Sequence, residues 1–382
     1  MIQATALSGL VRRTVPLVAV DLDEREIDAV TRVLRSGQLA QGPEVLAFEA
    51  EFAAATGAAY AVAVNSGTAA NHAALAALAI EPGEDVVTTP FTFAATSTPI
   101  LMQRGIPRFV DIDPRTFDLD LAAAVTAYPK ARAAVLVDLF GLPFDRTGIE
   151  AFRARGGRVL EDACQAIGGA RGGRAAGRIG EVSSFSFYAT KNISTGEGGM
   201  LVTDDEAIAQ AARRFRHHGQ GDRYEYVSLG YNYRMTDVLA AIGRVQLARL
   251  PGIAAARRAN AATYDRELAG IDGLSTPFVP AGVTHAYHQY SILIDAERTR
   301  GGATRDDVRA ALAQAGVSTG IYYPTPLHLN ALFARYGYGR GDFPVAERVA
   351  TQILALPIHP KLGADDLAHV VAALRAALGA AA

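Results

Sequence analysis

The feature that most constrains this 382-residue chain is a repeated switch of hydrophobic period. Short apolar or alternating runs at 60–64, 85–89, 108–111, 133–139, 158–162, 182–187 and 200–203 predict strands. Helical patterns at 23–36, 43–56, 68–79, 94–104, 145–155, 205–217 and 236–250 lie before, between and after them. Strands alternating with helices predict an α/β unit, a mostly parallel sheet covered on both faces. Half of the residues are apolar, which suffices for a sizeable core. Pro251-Gly252 predicts a break after 250. An alanine- and arginine-rich helix to about 269 then links to a smaller α+β lobe. That lobe carries strands at 287–294 and 318–322 and helices at 304–315, 345–354 and 364–377. The expected division is an N-terminal arm over 1–14, a large domain over 15–250 and a small one over 251–382.

Three places in the large domain carry chemistry. Lys191 lies between the apolar run Ser184–Phe187 and the turn Gly196–Gly199. Burial there would disfavour its ammonium form and leave an amine able to attack an aldehyde. An ordinary loop lysine is the plain alternative. Asp162 ends the run Gly157–Asp162, 29 residues before Lys191 (191 − 162). Ligands of open α/β sheets sit beyond the carboxyl ends of strands. A carboxylate there can hold a proton on a pyridine nitrogen, or merely cap a turn. Asn65–His72 follows a strand pattern and opens an alanine-rich helix. Small residues and hydroxyls at a helix N-terminus suit an anion, although Ser66 or Thr68 would also serve as a simple cap.

In this order the three places resemble the fold-type I enzymes that use pyridoxal 5′-phosphate, and more closely the DegT/DnrJ/EryC1/StrS aminotransferases. Further marks are Ser36-Gly37, Gln41–Pro43, Pro90–Thr96, Glu161–Ala166, Gly230–Asp237, Tyr322–His328 and Phe343–Glu347. The resemblance implies a large, mostly parallel domain that binds the cofactor and a smaller C-terminal domain. It implies that Lys191 links covalently to the cofactor and that Asp162 pairs with its ring nitrogen. Gly67, Thr68 and Ser186 would hold the phosphate, Phe93 would stack on the ring, and Gln165 would lie near the ring oxygen. Asn232 would reach the phosphate in a neighbouring subunit, which makes a homodimer with shared sites. Tyr322, Tyr323 and His328 would approach the substrate. The implied reaction moves an amino group from glutamate to a keto sugar on a nucleotide, with a 4-keto-6-deoxy sugar favoured. Transfer to a keto-cyclitol, or a cofactor-binding regulator that transfers nothing, are the alternatives.

Other features carry less. The formal charge of −2 gives no reason to expect nucleic acid or an anionic membrane as partner. Cys164 is the single cysteine, so no disulfide forms within one chain, which suits a cytoplasmic setting. It reads as a small buried filler. No apolar run of membrane length or signal-peptide pattern is expected. The Gly168–Arg178 tract lacks a following helix pattern and reads as a turn-rich connection, not a dinucleotide loop. His217-His218 do not share a helix face, so no metal is expected there.

Overall fold

The computed structural model describes residues 13–380; of the expected arm over 1–14, residues 1–12 lie outside them. Strands β1 Tyr60–Val64, β2 Asp85–Thr88, β3 Ile106–Phe109, β4 Ala133–Val137, β5 Arg158–Asp162, β8 Val182–Ser186 and β9 Gly199–Thr203 form one seven-stranded sheet. Between β5 and β8 lie the short β6 Ala170–Arg171 and β7 Arg174–Ala175. The sheet order is β1-β9-β8-β5-β4-β2-β3. Only β9 runs against its neighbours, so β1 is parallel to the rest.

Helices α1 Glu24–Ser36, α2 Pro43–Thr56, α3 Gly67–Ala77, α4 Ala94–Met102, α5 Leu121–Ala127, α6 Ile149–Arg153, α7 Glu206–Arg216 and α8 Asp237–Glu267 accompany this sheet. Alternation within β1 shows why both faces need cover. Val62 and Val64 pack with α3 and α7, whereas Ala61 and Ala63 pack with Phe48 and Phe52 of α2. The buried Arg216–Glu49 ion pair ties α7 to α2, and Arg216 also donates to the Ala63 carbonyl.

The smaller lobe contains β10 Leu274–Ser275, β11 Val283–Thr284, β12 Tyr290–Ile294 and β13 Ile353–Leu356, with α9 Arg305–Gln314, α10 Pro344–Gln352 and α11 Ala364–Ala377. Its sheet is β10-β12-β13, antiparallel throughout. β11 instead pairs with β6, which forms a hairpin with β7. Gly172 and Gly173, at φ of 57° and 77°, make that hairpin turn, so the glycine–arginine tract is a structured connection.

Two expectations need correction. The chain does not break at Pro251-Gly252; α8 continues through both residues. Its first half buries Ala240 and Leu247 in the large-domain core, and its second buries Ala261 and Tyr264 in the small-lobe core. Anchorage in two cores offsets the missing backbone donor of an exposed proline. By length and composition α8 would pass for a membrane span, but here it packs on α1 and α2. The expected strand at 318–322 is reduced to isolated bridges, Val15–Val317 and Gly320–Ala355. Val15 enters the small-lobe core although it begins the expected large domain.

Candidate active site

Because β1, β8, β5, β4 and β2 are parallel, their carboxyl ends lie on one edge of the sheet. Gly67 and Thr68 follow β1, Ser186 ends β8, Asp162 ends β5, and Phe93 follows β2. Ser66 caps α3 by accepting from Ala69 N at 3.1 Å, so its hydroxyl is already engaged. Space at this turn is tight. A Cβ on Gly67 would sit 2.7 Å from Ser186 Cβ and 3.2 Å from Cys164 Sγ. A Cβ on Gly199 would sit 2.3 Å from the Ser66 carbonyl. Glycines let the strand-end and helix-start backbones meet around a concavity lined by N–H groups.

Asp162 is 5% exposed. Its Oδ2 accepts from Asn71 Nδ2 at 3.0 Å and from Thr96 Oγ1 at 2.7 Å. Asn71 in turn accepts from Ser184 Oγ at 2.5 Å, and Thr96 lies 3.0 Å from Thr92 Oγ1. This ladder fixes the carboxylate plane. Oδ1 has only a 3.3 Å bond from Cys164 N, so it remains available to a further donor. Neighbouring Asp138 is buried, and burial together with Glu161 holds its carboxyl well above the usual range.

Lys191 sits in the turn after β8, its N–H donating to Tyr188 O at 2.8 Å. Burial pushes its ammonium below the ordinary lysine value, against the opposing pull of Cys164 and Asp162. Among the described residues no carboxylate forms an ion pair with it. Cys164 is a half-buried free cysteine whose thiol desolvation pushes up, so it is a poor nucleophile.

The remaining expected residues divide. Gln165 accepts from Phe140 N at 2.8 Å and donates to Tyr323 OH at 3.3 Å. Phe93 is 58% exposed, its ring 6.1 Å from that of Tyr323, so one face stands open above the edge. Tyr322 stacks edge-on against Tyr323. Asn232 is exposed, and its carbonyl accepts from Asn65 Nδ2 at 3.4 Å beside the glycine turn. His328 goes elsewhere: it is buried against Phe343 and bonded to Glu347 at 3.1 Å. It braces its loop on α10, which corrects the expectation of a substrate contact. His217 caps the end of α7 and meets Arg234 Nη1 at 2.6 Å.

Sequence reasoning missed Asn71, Thr96 and Ser184 as supports of Asp162. A polar residue amid the alanines of α3 was the available signal for Asn71. It also missed His288, a buried ring that feels the charge of Lys191.

An amine poised near a buried carboxylate, a glycine cradle at a helix N-terminus and an exposed aromatic face fit one group. The cradle would take a phosphate, Asp162 Oδ1 a ring N–H, Phe93 the ring face and Lys191 an aldehyde. The molecule is a pyridoxal 5′-phosphate-dependent aminotransferase of the mixed-sheet α/β class. Residues 20–375 match the model of the DegT/DnrJ/EryC1/StrS aminotransferase family, and the chain belongs to that family. It is 40% identical over 372 residues to the spore coat polysaccharide biosynthesis protein SpsC of Bacillus subtilis, covering 93% of this chain and 94% of SpsC. It is 36% identical to the UDP-N-acetyl-3-dehydro-alpha-D-glucosamine 3-aminotransferase of Acidithiobacillus ferrooxidans, covering 94% and 95% of the two chains. The solved structure of S. venezuelae DesV superposes with a TM-score of 0.88 at 34% identity, covering 94% and 98%.

Proposed function

We propose that this protein transfers the amino group of glutamate to a keto sugar carried on a nucleotide. The convergence of Lys191, Asp162 and the Gly67 turn on one sheet edge carries this reading, and membership in the family supports it. Pyridoxal 5′-phosphate, when bound, supplies the aldehyde that accepts the amino group and the ring that takes up the electron pair. Lys191 Nζ, neutral once released, takes the proton from the donor α-carbon and later returns a proton to the sugar carbon. Asp162 Oδ1 keeps the ring nitrogen protonated, held in place by Asn71 and Thr96. Phe93 would cover one face of the ring. A positioned base of this kind contributes about 10²–10⁴-fold.

The site is completed by a second copy of the chain. Asn232 is exposed, and beside it the segment 221–229 presents Tyr224 and Leu229 at 71% and 74% exposure. An apolar surface of this kind marks an interface. The favoured acceptor is a 4-keto-6-deoxy sugar; the Acidithiobacillus relative, whose name specifies a 3-keto sugar, makes C3 the competing position. The test is mass spectrometry of products formed with ¹⁵N-glutamate and a panel of nucleotide 4-keto sugars, nucleotide 3-keto sugars and a keto-cyclitol. Label in a nucleotide sugar supports the reading. Label only in the cyclitol, or in nothing, sinks it, the latter in favour of a regulator.

A further inference from the structure

Arg257 projects from the second half of α8 into the seam between the lobes and is 5% exposed. Its Nη1 donates to the carbonyls of Tyr287 at 2.9 Å and His288 at 3.3 Å. Its Nε has no partner, and among the described residues no carboxylate pairs with it. Burial pulls this guanidinium down to about 10. Buried charges are normally paired, because desolvating one without a counter-charge costs several kcal/mol.

The surroundings deepen the imbalance. His288 and His359 are both buried, and each has an Nδ1 without a partner. Burial and the Arg257 charge lower both rings below the ordinary histidine value, and His288 also feels Lys191. Asp21 also lines this seam, but it pairs with Arg249 at 2.5 Å and Lys361 at 3.5 Å and leaves Arg257 without a counter-charge. Two small cavities meet there. One is lined by Arg257, His288, His359 and Thr190, the other by Arg257, Thr190, Asn192 and Lys191. The first, about 30 Å³, has room for a group no larger than a carboxylate, and the second, about 10 Å³, for about one water. The guanidinium and Thr190 therefore line both spaces, one of which contains the reactive lysine.

We propose that Arg257, flanked by His288, His359 and Thr190, is the carboxylate pocket for the amino-acid donor. A planar carboxylate satisfies the idle Nε–H and supplies the missing negative charge. It also brings a dicarboxylic amino acid up to Lys191 from the inter-lobe side. The inference rests on the donor half of the reading above and is independent of the sugar acceptor.

The test is calorimetric titration of the holoenzyme with succinate, an unreactive dicarboxylate, for the wild type, Arg257→Gln and Arg257→Lys. The expected result is binding by wild type, a loss of about tenfold or more in Arg257→Gln, and a smaller loss in Arg257→Lys, as expected when a charge-assisted fork is removed or reduced to a point charge. Melting temperature and cofactor stoichiometry establish that each variant is folded. No binding by wild type, or wild-type affinity in either folded variant, overturns the pocket. Arg257→Lys keeps the charge and supplies this decision even where Arg257→Gln does not fold. Wild type that binds succinate but aminates no nucleotide sugar leaves the pocket standing and removes the sugar reading instead.

Discussion

The surroundings of Asp162 and the segment bearing Asn232 are opposite solutions on the same sheet edge. Asp162 is enclosed, its oxygens fixed by Asn71, Thr96 and Cys164 N before anything binds. Asn232 and residues 221–229 are open, with large apolar side chains turned to solvent. The first region lowers the cost of binding by preorganisation. The second leaves its side chains unsatisfied by packing in a single chain. The difference teaches that this chain fixes its carboxylate by itself, while the open segment is the surface on which the proposed second copy would close the site.

The comparison breaks first at Lys191. Lys191→Ala should lower turnover by at least about 10²–10⁴-fold and abolish the visible absorption of the lysine-linked cofactor; spectrophotometry and a coupled assay read both. Asp162→Asn comes next, with a loss of about 10²–10³-fold in kcat. The supports should cost less. Asn71→Ala removes one of the two donors to Asp162 Oδ2 and leaves the buried Ser184 hydroxyl without its acceptor, an effect of about 1–3 kcal/mol, read as kcat falling while the KM for glutamate holds. The open region is tested by mixing. Lys191→Ala and Asn232→Ala, each impaired alone, should recover activity together through hybrid dimers that contain one intact site. No recovery after subunit exchange removes the shared site.

A smaller effect concerns His72, which is enclosed by Phe215, Tyr231 and Tyr233 next to the Asn232 segment. Burial lowers its ring to about 4. The unfolded chain takes up this proton near the ordinary value and the folded chain only near 4, so acid favours unfolding. Between about pH 6.5 and 4 the ring should withdraw up to about 3 kcal/mol of stability. Urea melts across that range should show a flatter acid limb for His72→Gln. The smallest effect is Pro251→Ala, which restores a donor inside an exposed helix turn and should raise stability by about 1–3 kcal/mol.

Much of this was legible beforehand. β1, β5, α2 and α11 occupy the segments that hydrophobic period assigned, because each ends at an unambiguous turn or glycine. Lys191, Asp162 and Gly67 were readable because their order along an alternating chain already implies a common edge. Long-range packing was not. Pro251 speaks locally for a break, and only the two cores reveal why α8 ignores it. β13 hides within an apolar helix pattern because its antiparallel partner lies some sixty residues earlier, at β12. His328 stood in an aromatic, proline-braced loop, whereas Arg257 was one arginine of an alanine- and arginine-rich helix with nothing to single it out. Only burial and partners separate a braced histidine from an uncompensated guanidinium.

The unbroken course of α8 has a mechanical consequence. A rod of 31 residues spans about 46 Å at 1.5 Å per residue. Its first residue is clamped: Asp237 accepts from Gly42 N at 2.8 Å and Val45 N at 3.0 Å, a few positions after Asn232. Its far half carries Arg257 and Tyr264. A shaft clamped at one end and embedded at the other transmits tilt along its length. Displacement at the Gly42–Val45 clamp and rotation of the C-terminal lobe are therefore movements of one lever.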